Sequence, residues 1–285
     1  METATKTIAP ETPVLPYMAQ LDALRAFAVA AVLIHHYTPG GWGYGAYAGV
    51  KLFFTISGFL ITGILLRSRD AADAQHQKRL GSLAKFYARR FLRIFPLYYF
   101  VVAVAFAINL EPSRKIIGWL LTYTLNIHMA QQGWFEANFA HFWSLSVEEQ
   151  FYICWPWLAL FLPRKLLFPA GLAMISAGPL FRLSYILSGY KNMTGLATYI
   201  STPSSLDHLG AGVVLAMFTH MRAPCPASRR YLNRVILPVL LAGLILVERW
   251  GTLNITLLLH DPLQAAVFCC IVYNASLGPS SSCRR

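Results

Sequence analysis

The sequence has 285 residues, of which 56% are hydrophobic and 13% are charged, and its mean hydropathy is +0.49. A soluble protein of this length needs a larger polar surface, so the composition predicts a polytopic membrane protein. The formal net charge of +12 does not indicate a nucleic-acid partner, because the basic residues cluster in short segments between apolar runs.

Apolar runs recur along the whole chain, and crossing ~30 Å of hydrocarbon takes ~20 residues. We predict membrane segments, in chain order, at residues 21–37, 50–66, 94–110, 116–129, 151–162, 166–187, 206–220, 235–247 and 253–273. The fold class is therefore all-α, a polytopic transmembrane helix bundle of about eight or nine segments. We expect one membrane-embedded domain over residues 1–285.

Segment 67–93 is rich in basic residues, with eight Lys and Arg residues against two Asp residues. It predicts a cytoplasmic loop, so the N-terminus of this multi-pass cytoplasmic-membrane protein is expected to be cytoplasmic too. The basic loop 163–165 also looks cytoplasmic, but three apolar stretches, an odd number, lie between segment 67–93 and this loop. Two loops on the same side of the membrane need an even number of spans between them. Either stretch 116–129 is re-entrant or loop 163–165 breaks the charge rule. The start of the chain lacks a signal-peptide pattern, so we expect the first span to be retained.

The first span, LDALRAFAVAAVLIHHY, contains four ionisable residues, Asp22, Arg25, His35 and His36. Each helical residue turns ~100° and rises ~1.5 Å, so Arg25 and His36 share one face ~16 Å apart. Asp22 lies on that face, whereas His35 points ~100° away. Burying an ionisable group in a span costs at least ~2.5–3.5 kcal/mol, and such groups commonly mark function. The alternative is that these residues lie at the two membrane interfaces.

Five sequence blocks follow one another within residues 20–216: LDALRAFAVAAVLIHHY, GVKLFFTISGFLITGILL, ARRFLRIFPLYY, FWSLSVEEQFYICWP and SLDHLGAGVVLA. This series resembles the acyltransferase 3 family of integral-membrane O-acyltransferases, in which an arginine is followed after ten residues by a histidine. Arg25 and His36 match that spacing. The chain lacks the family's Ser-Tyr-x-x-Tyr-Leu-x-His type element near its end. We therefore expect an incomplete C-terminal part, and weak or no activity of these residues alone.

The resemblance implies transfer of an acyl group, acetyl above all, from acyl-CoA to a hydroxyl of a carbohydrate or glycoconjugate. Acyl-CoA would be a co-substrate, and no permanently bound cofactor is expected. A sugar hydroxyl is a poor nucleophile, and histidine has the intrinsic pKa of a base near pH 7. We predict His36 as that base, with Glu148 or Glu149 orienting it; an acyl-histidine intermediate remains open. Ser146 and Glu149 also fit a capping box, which would make Glu149 structural.

The predicted residues of the donor side and cavity are Asp22, Arg25, Arg89, Arg90 and Arg93. Arginine binds phosphate oxygens bidentately, and coenzyme A carries a pyrophosphate and a 3′-phosphate. The alternative is that the arginines before the third span only orient it.

Phe142 and Trp143 are candidates for lining the acceptor site, although aromatic residues are common at membrane interfaces. We expect Ser57 and Gly58 to permit close helix packing, since small residues let helices approach. Asp207 is predicted to cap the helix of a later span.

The cysteines are Cys154, Cys225, Cys269, Cys270 and Cys283. They form no C-x-x-C pair and have no histidine at zinc-ligand spacing, so we predict neither a metal site nor a disulfide framework. Two other functions remain open: a membrane transporter or proton relay lined by the same ionisable groups, or an inactive truncated relative. The inverted repeats or broken helix pairs that mark many transporters are not seen in the sequence.

Overall fold

The structure is a computed structural model that describes residues 18–38, 43–191, 194–221 and 226–277. Within these ranges the chain is predominantly helical and has no strands, which confirms the predicted fold class. The α-helices are α1 (Ala19–Tyr37), α2 (Gly43–Ala74), α3 (Arg79–Ala107), α4 (Ile117–Leu121), α5 (Leu125–Gln132), α6 (Phe142–Phe161), α7 (Arg164–Leu187), α8 (Ala197–Ile200), α9 (Thr202–Met221), α10 (Pro226–Tyr231), α11 (Leu237–Trp250) and α12 (Leu253–Ser276). A 3-10 turn at Ala137–Phe139 precedes α6, and a π-helical turn at Leu232–Ile236 joins α10 to α11.

In the described part of the chain, five helical segments are long and apolar enough to cross a membrane. They are Gly45–Ala74, Arg79–Ala107, Arg164–Leu187, Ser228–Trp250 and Leu253–Ser276. Helices α1, α6 and α9 have 19, 20 and 20 residues and are not among those five. The protein is thus a multi-pass membrane protein, and the count of eight or nine segments stays a prediction.

The basic segment that was predicted as a loop is almost entirely helical. Helix α2 continues to Ala74, α3 already begins at Arg79, and residues 75–78 alone separate them. The sequence did not predict this helical form, because positive charge indicates a side of the membrane and says little about helicity, and the cytoplasmic location of the segment stays a prediction. Arginine, lysine, alanine and leucine are good helix formers, and a helix can extend beyond the hydrocarbon layer.

Residues 116–129 do not form a span. They are divided between α4, with five residues, and α5, with eight. At ~1.5 Å per residue, each helix is far too short to cross ~30 Å of hydrocarbon. Two long helices, α3 and α6, therefore separate the two basic segments. With an even number of helices between them, both basic segments can lie on the same side of the membrane. Arg164 forms ion pairs with Asp70 and Asp73, which joins the α2 and α7 ends directly.

Helix α2 lies at the centre of the bundle and contacts α1, α3, α6, α9 and α12. Its closest neighbour is α9, because glycines stand where the two backbones cross. A Cβ atom at Gly58 would lie 2.2 Å from the carbonyl oxygen of Leu209, and one at Gly212 would lie 2.1 Å from that of Thr55. The prediction that Gly58 serves close helix packing is therefore confirmed.

Two arginines fix the C-terminal end of α6 against α2 and α3. Arg69 is 3% exposed and donates hydrogen bonds to the carbonyl oxygens of Ala159, at 2.9 Å, and Leu162, at 2.8 Å. Arg79 donates to the carbonyl oxygen of Leu160 at 2.9 Å. Cations are favourable at a helix C-terminus, where carbonyl groups lack helical partners. These contacts position the helix that carries Glu148 and Glu149.

Candidate active site

Glu148 lies at the centre of a polar cluster between α1, α2, α3 and α6. Its side chain is buried, at 7% exposure, and its Oε1 accepts a hydrogen bond of 2.6 Å from Ser57 Oγ. Arg90 of α3 and Arg25 of α1 both interact electrostatically with its carboxylate. Three sequence candidates that lie far apart in the chain are thus brought together, and Ser57 joins them.

Tyr152 connects Ser57 to Arg90 within this cluster. Its hydroxyl donates a hydrogen bond of 3.2 Å to Ser57 Oγ, and the guanidinium carbon of Arg90 lies 4.0 Å from the centre of its ring. A cation held over an aromatic face gains about 0.5–2 kcal/mol, depending on its exposure to solvent. Tyr152 and the hydrogen-bonding role of Ser57 were missed in the sequence, because neither residue type is unusual in an apolar helix.

Arg25 enters the cluster from α1. Its Nη1 lies 3.8 Å from Asp22 Oδ1, and its guanidinium carbon lies 5.7 Å from the centre of the Phe53 ring. Arg93 also interacts with it electrostatically. The Nε atom of Arg25 is buried and has no hydrogen-bond partner among the described residues. Arg25 therefore retains a donor that a ligand could use.

The three arginines of α3 have different surroundings. Arg90 is half-buried over Tyr152, whereas Arg89 and Arg93 are exposed. Arg93 interacts with Arg25, but none of the contacts found among the described residues links Arg89 to the cluster. The structure thus distinguishes Arg90 and Arg93 from Arg89, which the sequence did not.

Glu149 is 4% exposed, and its Oε1 has no hydrogen-bond partner among the described residues. It interacts electrostatically with Glu148 and Arg90. The capping-box prediction was wrong, because α6 begins at Phe142 and Ser146 is already inside the helix. The hydroxyl of Ser146 donates to the carbonyl oxygen of Phe142 at 3.0 Å.

His36 lies at the other end of α1 and is exposed, with its ring centre 5.2 Å from that of His35. His141, directly before α6, is a neighbour that sequence reasoning missed. Burial lowers the pKa of the His141 imidazole, and the nearby His36 lowers it further, which favours the neutral form at pH 7. In the described part of the chain, no contact joins His36 to Glu148 or Glu149.

Phe142 and Trp143 are buried, at 9% and 6% exposure, and belong to the main hydrophobic core. The Trp143 ring centre lies 5.9 Å from that of Phe54 and 5.8 Å from that of Tyr199. Trp143 therefore packs behind Tyr199, and Tyr199 itself lines a cavity.

A second set of buried charges lies between α2, α7, α9 and α12. Arg182 lies between two carboxylates, with Nη2 2.6 Å from Asp207 Oδ2 and Nη1 3.1 Å from Asp261 Oδ2. Lys51 Nζ is 3.4 Å from Asp261 Oδ2, and His208 Nδ1 is 2.8 Å from Asp207 Oδ1. The prediction that Asp207 caps a helix was wrong, because α9 begins at Thr202 and Asp207 pairs with α7 instead.

Asp207, His208 and Asp261 have potential metal-ligand atoms within 4.8 Å of one another. Both carboxylates already interact with Arg182, and Asp261 also with Lys51, so we describe this group as an ion-pair network. Single charges inside apolar runs, such as Arg182 in GPLFRLSYIL, were the sequence signal for it.

The cysteines show no pairing in the described residues. Cys154, Cys269 and Cys270 are free thiols. Cys225 and Cys283 lie outside the described residues, as does the end of the chain on which the expectation of an incomplete C-terminal part rests.

A family model described as an acyltransferase domain matches residues 18–274 of the chain. O-acetyltransferase OatA of Staphylococcus aureus (strain NCTC 8325 / PS 47) is 29% identical over 219 residues, which cover 70% of this chain and 34% of that protein. Peptidoglycan O-acetyltransferase OatA of Listeria monocytogenes is 33% identical over 184 residues, 56% of this chain and 28% of that protein. The chain thus spans about a third of the length of these curated relatives. No solved structure matches it.

Proposed function

This chain belongs to the acyltransferase 3 family, and we propose on that basis that it transfers an acyl group, chiefly acetyl, to a carbohydrate hydroxyl. The donor is acyl-CoA, and the acceptor is a polysaccharide or glycoconjugate of the cell envelope. The relatives are named O-acetyltransferases, and one name specifies peptidoglycan, which supports an acceptor of this class.

The observation that carries this proposal is that Arg25 and Arg90 both lie near Glu148, while Arg93 lies near Arg25. Guanidinium groups bind phosphate oxygens in pairs of hydrogen bonds, and coenzyme A carries three phosphate groups. Arg25 has a free donor at Nε. Glu148 keeps Arg25 and Arg90 close together before the donor binds, and the Ser57 hydroxyl holds Glu148 by its hydrogen bond.

His36 is the base in this proposal. It takes the proton of the acceptor hydroxyl as the oxygen attacks the thioester carbonyl, and it returns that proton to the departing thiolate. The extended pantetheine arm of coenzyme A separates the thioester from the phosphates. The ~16 Å between Arg25 and His36 along one face of α1 accommodates that separation. His141 supplies a second imidazole beside His36.

The proposal is tested by supplying labelled acetyl-CoA to membranes that contain the protein. Label is expected in a carbohydrate fraction, in ester linkage that mild base releases. Membranes without the protein are the control. Label that stays in free acetate, or that resists mild base, would contradict O-acyl transfer to a hydroxyl.

A further inference from the structure

A cavity of about 420 Å³ opens between α2, α8, α11 and α12, beside the buried ion-pair network. Its lining includes Tyr47, Arg182, Tyr199, Glu248, His260 and Asp261. The volume lies in the range of about 300–1,000 Å³ that is usual for small-molecule sites. None of these residues belongs to the cluster around Glu148.

One wall of the cavity is aromatic. The rings of Tyr47 and Tyr199 stack with their centres 4.4 Å apart and their planes 25° apart. The His260 ring lies 6.1 Å from Tyr47, at an angle of 29°. Because Tyr47 and Tyr199 stack on each other, their facing sides are covered, and the ring surface outside this stack gives the cavity an apolar wall. The C–H face of a pyranose ring is also apolar, and its slightly positive C–H groups are complementary to the negative face of an aromatic ring.

The other wall is polar and organised around His260. Its Nδ1 lies 3.1 Å from Asp261 Oδ1, and its Nε2 lies 3.2 Å from Glu248 Oε1. Tyr47 donates a hydrogen bond to Asp261, which fixes the position of the tyrosine side chain. Glu248 is the most solvent-accessible of these polar side chains, with 47% of its side chain exposed. Carboxylate, imidazole and guanidinium groups together offer both acceptors and donors to hydroxyl groups.

The charge of this region selects against an anionic ligand. Lys51 and Arg182 are the buried cations, and both form ion pairs with Asp261. Arg182 also pairs with Asp207, and Glu248 adds a further negative charge at the rim. No uncompensated cation among the described lining residues is available for a phosphate group. A neutral, hydroxyl-rich ring fits the electrostatics and the aromatic wall together.

We propose that this cavity binds a neutral sugar ring of the acceptor, with Tyr199 against its C–H face and Glu248 and His260 at its hydroxyls. The proposal rests on the proposed function, because it names the place where that acceptor is held. Tyr199 contacts Trp143 at 5.8 Å, so one layer of aromatic rings separates the sugar from α6.

Equilibrium binding to the purified protein in lipid nanodiscs, without any acyl donor, tests the proposal. The probe is the neutral tetrasaccharide of β-1,4-linked N-acetylglucosamine. Tyr199→Leu removes the stacking face and should raise the Kd at least about tenfold, whereas Tyr199→Phe keeps the ring and should bind within about twofold of wild type. Leu257→Trp fills the cavity from α12 without removing a charged group and should also abolish binding.

The Leu257 variant keeps the test decisive if the Tyr199→Leu protein unfolds. If Tyr199→Leu and Leu257→Trp both bind the tetrasaccharide with the Kd of the wild type, the proposal is overturned. So would a wild-type protein that fails to bind the tetrasaccharide, or that binds glucose 6-phosphate more tightly than glucose. Acetyl transfer is measured separately. Binding without transfer would contradict the proposed function alone, and transfer with an unchanged acceptor KM in the folded Leu257→Trp variant would contradict the sugar site alone.

Discussion

Arg89 and Arg90 are neighbours in sequence, but Arg90 lies over the Tyr152 ring and interacts with Glu148, whereas Arg89 is exposed. If Arg90 binds donor phosphates, Arg90→Gln should raise the KM for acetyl-CoA by about tenfold or more. Steady-state kinetics at saturating acceptor measure this effect. Arg89→Gln is the matched control and should leave the donor KM within about twofold of wild type. Equal changes in both variants would contradict the assignment of Arg90.

Ser57 donates a hydrogen bond to the buried carboxylate of Glu148. Ser57→Ala removes this donor, and a buried polar group that loses its partner costs about 1–3 kcal/mol. The variant should therefore unfold at lower temperature and lose transfer activity. Thermal unfolding in detergent measures the first effect. Ser144→Ala, whose hydroxyl donates to the backbone carbonyl of His141, is the control and should change little.

The sequence allowed us to select individual charged residues, but not the residues with which they form hydrogen bonds or ion pairs. Arg25, Glu148 and Asp207 could be selected because ionisable groups are costly in apolar helices. The bond between Ser57 and Glu148 joins positions 91 residues apart, and no local pattern encodes it. Asp207 was misassigned as a helix cap for the same reason, since its partner Arg182 lies on another helix.

At the scale of the helices, the crossing of α2 and α9 depends on the absence of side chains. Gly58→Ala would place a Cβ atom 2.2 Å from the Leu209 carbonyl oxygen, so the backbones must separate. Overpacking of this kind typically costs about 1–3 kcal/mol. We expect lower expression and a lower unfolding temperature in detergent. Gly63→Ala on the same helix meets no atom closer than 3.8 Å and should be tolerated. Equal destabilisation by both substitutions would contradict the packing argument.

The helix bounds show what hydropathy can and cannot predict. Residues 166–187 coincide with α7 within two residues, because its apolar run fills the helix. Helix α3 begins 15 residues before the predicted span, since its amphipathic first part is basic and gives no apolar signal. Residues 116–129 gave an apolar signal like that of a span, yet a non-helical turn between α4 and α5 divides them into two short helices. Tyr123 has a positive φ angle in this turn, and hydropathy does not predict such a backbone conformation.

At the scale of the whole molecule, contacts join the basic end of α2 to the start of α7 and the end of α9. Arg164 pairs with Asp70, and His220 Nε2 lies 2.8 Å from Asp70 Oδ2. These groups share one end of the bundle, and the positive-inside rule predicts that this end is cytoplasmic.

Cysteine accessibility tests this orientation. In a background without native cysteines, Gln75→Cys should be protected from an impermeant maleimide in intact cells and react after lysis. Asn109→Cys, exposed after α3, should react in intact cells, because α3 carries the chain to the opposite end. The reverse pattern would overturn the cytoplasmic N-terminus.

If acyl transfer takes place along one face of α1, the two adjacent histidines, His35 and His36, must differ in their effect on activity. Membranes containing wild type, His36→Ala or His35→Ala receive labelled acetyl-CoA, and base-releasable label in carbohydrate is measured at equal protein level. We expect His36→Ala to lose the label. The His35 side chain points ~100° away, so His35→Ala should retain most of it. Equal label in wild type and His36→Ala, or equal loss in both variants, would contradict acyl transfer along this face.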